Sequence, residues 1–404
     1  MDSRIGLPRL ASLALAYALS TIAFTANGAA PSLPAPPQGS AFWDTVPTRV
    51  PADAKRGDLL WIQERNDAPR NARAWNIVYV TESANKGLEY ASGEVYVPRA
   101  AATSPRRLLV WGVGTAGFQD SCAPSRTPLY RQNRTTRVPA IEALTDRGYV
   151  VAMSDYQGLG VPGGTAYLDG PLQAKASLDA ARAAMKIPGA SVGTEVGLYG
   201  FSQGGQTVLW AAHLAATYAP EFKVVGIAPI APASRHLDLS FYDLGIPENA
   251  GYFIARMAGL QVGHPELHLR DILTPAGLEM LPVMSWGCYE IFAKASQLTE
   301  PFARREALAE GTPWRARLEA NDRFLPLPTS IPVLLIQGDA DIDVPVRLTQ
   351  AVRRDLCEQK IVVEYHELPG VGHTDAVPPS AALLPDWFDA RFAGRMAKDT
   401  CEGR

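Results

Sequence analysis

The 404-residue chain carries little net charge: 38 Lys and Arg against 41 Asp and Glu leave −3. So weak a field does not draw a protein to nucleic acid or to an anionic surface. No run of five like charges occurs, so there is no charged tail to bind a partner. Cysteine is scarce, at four residues, and no two stand at a CxxC spacing, which argues against a zinc site. There is no internal repeat and no long low-complexity stretch. Beyond the first thirty residues no segment reads as a transmembrane helix. What remains is an ordinary globular composition, 47% hydrophobic and 20% charged.

The N-terminus differs from the rest. Arg4 and Arg9 precede an apolar run, Leu10 to Phe24, and small residues follow at Ala26 to Ala30. That order is the pattern of a secretory signal over residues 1–30. The run is shorter than the roughly 20 residues of a spanning helix, which favours a cleaved signal over an anchor. The Pro-rich stretch at 31–41 reads as an extended leader to the mature domain. Export places the protein outside the cell or in a periplasm, where an even number of cysteines suggests disulfides. Cys122, Cys288, Cys357 and Cys401 allow three pairings.

Three early segments, Gly57 to Ile62, Trp75 to Thr81 and Leu88 to Val97, read as strands of an antiparallel start. Continuous apolar runs follow at Arg107 to Gly112, Gly148 to Asp155, Glu195 to Phe201, Lys223 to Ile230, Ile331 to Gln337 and Ile361 to Tyr365. Unbroken rather than alternating runs are expected of parallel strands covered on both faces. Helical stretches at Pro171 to Lys186, Gln203 to Tyr218, Val346 to Leu356 and Ala381 to Ala393 separate them. The alternation predicts an α/β fold with a mostly parallel sheet. The core is expected at 42–232 and 330–404. The segment 233–329 between them is too long for a connection. Its apolar stretches, Tyr252 to Leu260 and Leu278 to Trp286, mark it as an inserted helical cap. Part of its apolar surface (Phe241, Tyr242, Phe253, Ile254, Met257, Leu260, Met280, Leu281, Met284) is expected to line a pocket for an acyl chain.

The chemistry centres on Gly200-Phe201-Ser202-Gln203-Gly204, a G-x-S-x-G pattern between a strand and a helix. On so sharp a turn, side chains two residues before and two after the serine would collide, which is why glycine stands there. A strand–elbow–helix of this kind is the nucleophile site of the α/β-hydrolase fold. A serine hydroxyl needs a base. Of six histidines, His213 lies inside the following helix, His236, His264 and His268 fall in the cap, and His366 continues a strand. His373 falls in the loop after the last strand, where such sites are built. The acid belongs after the preceding strand. Asp339, Asp341 and Asp343 stand there, and Asp341 fits the G-x-x-D-x-x-V-P pattern that ends at Pro345. The other two are expected to be turn or capping residues. The developing oxyanion needs two backbone donors. One is expected from Gln203 and the other from the loop Val113 to Gly117.

These residues carry a family likeness. Thr115-Ala116-Gly117 with Asp120-Ser121-Cys122-Ala123-Pro124-Ser125 resembles the secretory lipases of fungi and their bacterial relatives. Asp155-Tyr156-Gln157-Gly158-Leu159-Gly160, Tyr199 to Gly205 and Tyr218-Ala219-Pro220-Glu221 are similar too, so the likeness runs from about Phe42 to the C-terminus. The resemblance implies ester and triacylglycerol hydrolysis, a large lid and a Ser202–Asp341–His373 triad. It implies no cofactor or metal, a lipid or small-ester substrate, and contact with a lipid surface through the cap. It places the second oxyanion amide near Ala116 and pairs Cys122 with Cys288 and Cys357 with Cys401. A short-chain esterase, a serine peptidase and a non-catalytic binding protein on the same fold are the rival readings.

Overall fold

The computed structural model describes residues 1–2, 33–127 and 137–401. The expected signal falls on residues outside these, apart from its first two, and residues 31–32 of the leader do as well. Among the described residues, no helix is long and apolar enough to cross a membrane. The fold described below is that of the unit that begins at Leu33.

Nine strands build one sheet: β1 (Leu59–Glu64), β2 (Ala72–Glu82), β3 (Leu88–Pro98), β4 (Arg106–Gly112), β5 (Val150–Gln157), β6 (Val192–Phe201), β7 (Lys223–Ile230), β8 (Val333–Gly338) and β9 (Val363–Leu368). Their spatial order is β1-β2-β3-β5-β4-β6-β7-β8-β9. The first three strands are antiparallel, β3 meets β5 antiparallel, and every pair from β5 to β9 is parallel. The expected division into an antiparallel start and a parallel remainder therefore holds.

The burial pattern explains the unbroken apolar runs. β5 and β8 are buried at every position. In β4, Leu108 and Val110 pack into one core with helices Gly170–Ala184, Gln203–Tyr218 and Val346–Glu358. Leu109, between them, points to the other core, with helices Arg137–Asp146 and Val377–Phe392. Alternate residues thus serve opposite apolar layers, which is the condition for a continuous hydrophobic strand.

The order β5-β4-β6 is a reversal. The chain leaves β4 for β5 on one side and then crosses to β6 on the other. Ligands in open α/β sheets bind outside the carboxyl ends of the strands at such a switch point. Both the loop Val113–Gly117 and Ser202 stand there. Gly112 lies in register with Gly200. A Cβ at Gly112 would come 2.6 Å from the Gly204 carbonyl oxygen, and one at Gly204 would come 1.9 Å from that of Gly112. The glycines let the turn after β6 seat against β4.

Between β7 and β8 the chain forms helices His236–Asp243, Ala250–Gly263, Glu290–Ala295 and Pro313–Ala320, with shorter turns. Phe253, Ile254, Met257, Leu260, Trp314 and Leu318 help form a further core, which Phe118, Tyr167, Leu168 and Val344 join from outside the insertion. The apolar stretch 278–286 is split between the end of a short helix, Pro275–Glu279, and a 3-10 turn, Leu281–Ser285. Pro282 removes a backbone donor there and tightens the chain. The ends of the insertion are stitched together: the Asp322 carboxylate accepts the backbone N–H of Arg235 at 2.7 Å and of His236 at 2.6 Å. Cys122 is bonded to Cys288 and Cys357 to Cys401.

Candidate active site

Strand β6 delivers Ser202 onto a turn with φ 55° and ψ −116°, and helix Gln203–Tyr218 begins at the next residue. A non-glycine residue at positive φ costs free energy that the surroundings must supply. Here the Ser202 N–H donates to the Ile230 carbonyl at 2.9 Å, and the Ser202 carbonyl accepts from the Ala233 N–H at 3.1 Å. A Cβ at Gly200 would lie 2.2 Å from the Gly204 carbonyl oxygen, so both flanking glycines are sterically required.

Ser202 Oγ lies 2.8 Å from His373 Nε2, and His373 Nδ1 lies 2.6 Å from Asp341 Oδ2. The Phe201 ring packs against the imidazole, centroids 4.7 Å apart. The Asp341 side chain is shut off from solvent. Its Oδ1 accepts the N–H groups of Asp343 and Val344 at 2.9 and 2.8 Å. Its Oδ2 accepts from Gln337 Nε2 at 2.8 Å, and Thr349 Oγ1 donates to Gln337 Oε1 at 2.6 Å. A carboxylate bound this way is held in one orientation and fixes the imidazole tautomer. The arrangement can make a serine alkoxide and hold the imidazolium that results.

The other aspartates differ. Asp339 is exposed and its Oδ1 accepts the Gly370 N–H at 2.6 Å, the turn role expected of it. Asp343, expected to do the same, instead lines the cleft beside Ser202. Burial holds its carboxyl above the usual carboxylate range; the His373 ring opposes the shift and Asp341 adds to it.

The remaining histidines stand apart. His213 Nδ1 lies 3.1 Å from the Pro326 carbonyl, His236 is buried in the cap, His264 contacts Asp169, and His366 contacts Glu364. His268 precedes a one-turn helix. Thr115 and Ala116 line the cleft at the end of β4. Thr115 Oγ1 lies 2.8 Å from Tyr167 Oη, which fixes the loop. Gln203 opens its helix, so its N–H has no acceptor within that helix.

The cleft, of about 260 Å³, is lined by two sets of side chains. One is apolar: Trp111, Tyr199, Phe201, Ile230, Val377 and Leu384. The other carries Thr115, Tyr252, Tyr289 and Asp343. None of the nine cap residues expected to line an acyl pocket does so. Phe253, Ile254, Met257 and Leu260 are fully buried in the cap core, where Phe241, Met280, Leu281 and Met284 also pack. Tyr242 instead donates to the Ile342 carbonyl. Two tyrosines that had not been singled out, Tyr252 and Tyr289, are the cap's contribution. Gln337 was missed as well, though it is the one polar residue closing an apolar strand four positions before Asp341.

The pattern of the secretory lipase family matches residues 133–279. A secreted triacylglycerol lipase of Malassezia globosa is 28% identical over 325 residues, covering 73% of this chain and 66% of that one. The crystal structure of Candida antarctica lipase A superimposes with a TM-score of 0.71 at 21% identity, covering 87% and 86% of the two chains. A rice cell wall degrading esterase from Xanthomonas oryzae gives 0.67 at 21% identity, covering 84% and 98%. At such identities the two structures speak for the fold. The chain is a serine ester hydrolase of the α/β-hydrolase fold, related to the secretory lipases.

Proposed function

We propose that the chain is an exported lipase that cleaves acylglycerol esters through an acyl-enzyme, with Ser202 as nucleophile, His373 as base and Asp341 as its orienting acid. The observation that carries this is the unbroken relay from Ser202 Oγ to His373 to Asp341, opening into a cleft with an apolar wall. Ser202 Oγ attacks the ester carbonyl as His373 Nε2 takes its proton. The N–H groups of Gln203 and Ala116 receive the oxyanion. The C–O bond to the alcohol then breaks, His373 returns the proton to the leaving oxygen, and water releases the acyl group by the same steps in reverse order. The acyl chain, having no polar group, takes the apolar wall. Export is supported by the N-terminal signal pattern and by the Malassezia relative, which is named secreted. Contact with a lipid surface is supported by Trp286 and Ile342, each 63% exposed, and Tyr289, 45% exposed at the cleft itself.

A fluorophosphonate probe is the test. It should label wild type at Ser202 and leave Ser202→Ala unlabelled, and that variant should lose at least three orders of magnitude of p-nitrophenyl butyrate turnover. An unlabelled wild type would favour a binding protein on this fold. A variant that keeps a substantial share of turnover would remove Ser202 from the role.

A further inference from the structure

The two sets of side chains that line the cleft differ in a way that an acyl chain does not explain. Besides its apolar residues the cleft is lined by Asp343, mostly buried, and by Tyr252 and Tyr289 of the cap. Asp341 uses its carboxylate fully, but Asp343 contributes only its backbone N–H to that network. Its own carboxylate has no hydrogen-bond or ion-pair partner among the described residues. Among the described residues no Lys or Arg lies against it; the charged groups that act on it are His373 and Asp341. His373 is already engaged on both ring nitrogens, with Ser202 and with Asp341. The Asp343 charge is felt at Tyr252, whose hydroxyl it pushes further above the ordinary phenol range after burial has raised it. The two tyrosines join Phe292 in an aromatic cluster, with centroids 4.3 Å from Tyr252 to Phe292 and 6.1 Å from Tyr289 to Phe292.

A buried carboxylate without a counter-charge is costly unless something supplies one. Aromatic faces beside a carboxylate attract cations, quaternary ammonium groups above all. The acyl group occupies the apolar wall, so the cap-side wall is left to the alcohol. Resting on the ester-hydrolase reading, we infer that the cap-side wall is a subsite for a cationic alcohol, formed by Asp343, Tyr252 and Tyr289. Esters of amino alcohols, quaternary ones best, are then a second class of substrate beside acylglycerols. A hydroxyl-rich alcohol would also hydrogen-bond to Asp343, but it would leave the charge uncompensated, so the cation is the favoured occupant.

The test compares butyrylcholine with 3,3-dimethylbutyl butyrate, its neutral isostere, by kcat/KM on the full protein. The choline ester should be preferred by about tenfold or more, the size of a close cation–aromatic and carboxylate contact. Asp343→Asn should bring the ratio to within about threefold of one, and Tyr252→Leu should lower it in the same direction. Because a ratio is read, a general loss of activity in either variant cancels. A wild-type ratio near one, or a ratio that survives Asp343→Asn, overturns the inference. So does a preference for glycerol monobutyrate that depends on Asp343 when the choline preference does not. If p-nitrophenyl butyrate is still hydrolysed in those cases, only the subsite falls. If that ester too is refused, the ester-hydrolase reading falls with it.

Discussion

At the scale of single residues, Asp341 and Asp339 stand two positions apart with different prospects. Asp341 is buried and receives two backbone N–H groups, an amide N–H and the imidazole. Asp339 is exposed and braces a turn. Asp341→Asn should cut kcat for a p-nitrophenyl ester by about three to four orders of magnitude, because an amide stabilises the wrong imidazole tautomer. Asp339→Asn should stay within about threefold. Small, equal losses would refute the assignment of Asp341. Gln337 acts through Asp341 and is a positioning residue. Gln337→Ala should lower kcat about tenfold with KM nearly unchanged, the loss seen when the partner that orients a catalytic ligand is removed. Gln337→Glu should cost more, since a second carboxylate would face the first. A KM effect with kcat preserved would mean Gln337 serves the substrate pocket instead.

Elements were legible where one local rule decides them. Lys223–Ile230 and Gln203–Tyr218 were readable to the residue because an unbroken apolar run and a glycine-marked turn fix their ends. The hydrogen-bonded line of Ser202, His373 and Asp341 was readable because the loops that carry them follow three parallel strands in a known order. The cleft's cap-side wall was not. Tyr252 sits on helix Ala250–Gly263 among residues that point into the cap core, and Tyr289 stands thirty-seven positions on. Only the packing of the insertion's own segments around Phe292, and of the insertion against the sheet, brings them to the cleft. The Cys122–Cys288 bond holds that packing. It joins residues 166 apart in sequence, and Tyr289, the next residue, donates to the Thr115 carbonyl at 3.4 Å. Replacing both cysteines with serine should lower stability by about 2–4 kcal/mol, read as a fall in midpoint under denaturant. It should also raise KM, because Tyr289 and the Thr115 loop lose their common anchor. An unchanged KM with lowered stability would make the bond a staple of the fold alone.

For the whole molecule, the open matter is whether the serine works on dissolved esters or at a lipid surface. The cleft is about 260 Å³, below the roughly 300–1,000 Å³ of sites for drug-sized ligands. A whole triacylglycerol does not fit inside it, so two of its chains must lie outside, against the surface. Exposed on the cap and the acid loop are Trp286, Tyr289 and Ile342, of which Tyr289 lines the cleft itself. In water they are an exposed liability; against lipid they are buried. An acylglycerol lipase should therefore hydrolyse tributyrin faster once the concentration passes the solubility limit and an emulsion forms. The same rise should appear with a medium-chain triacylglycerol. Trp286→Ala should reduce the emulsion rate several-fold while leaving turnover of dissolved p-nitrophenyl acetate unchanged, because Trp286 is not among the residues lining the cleft. A wild-type enzyme that cleaves the dissolved ester and ignores the emulsion would be a short-chain esterase, with the same triad and an exposed patch that serves something else.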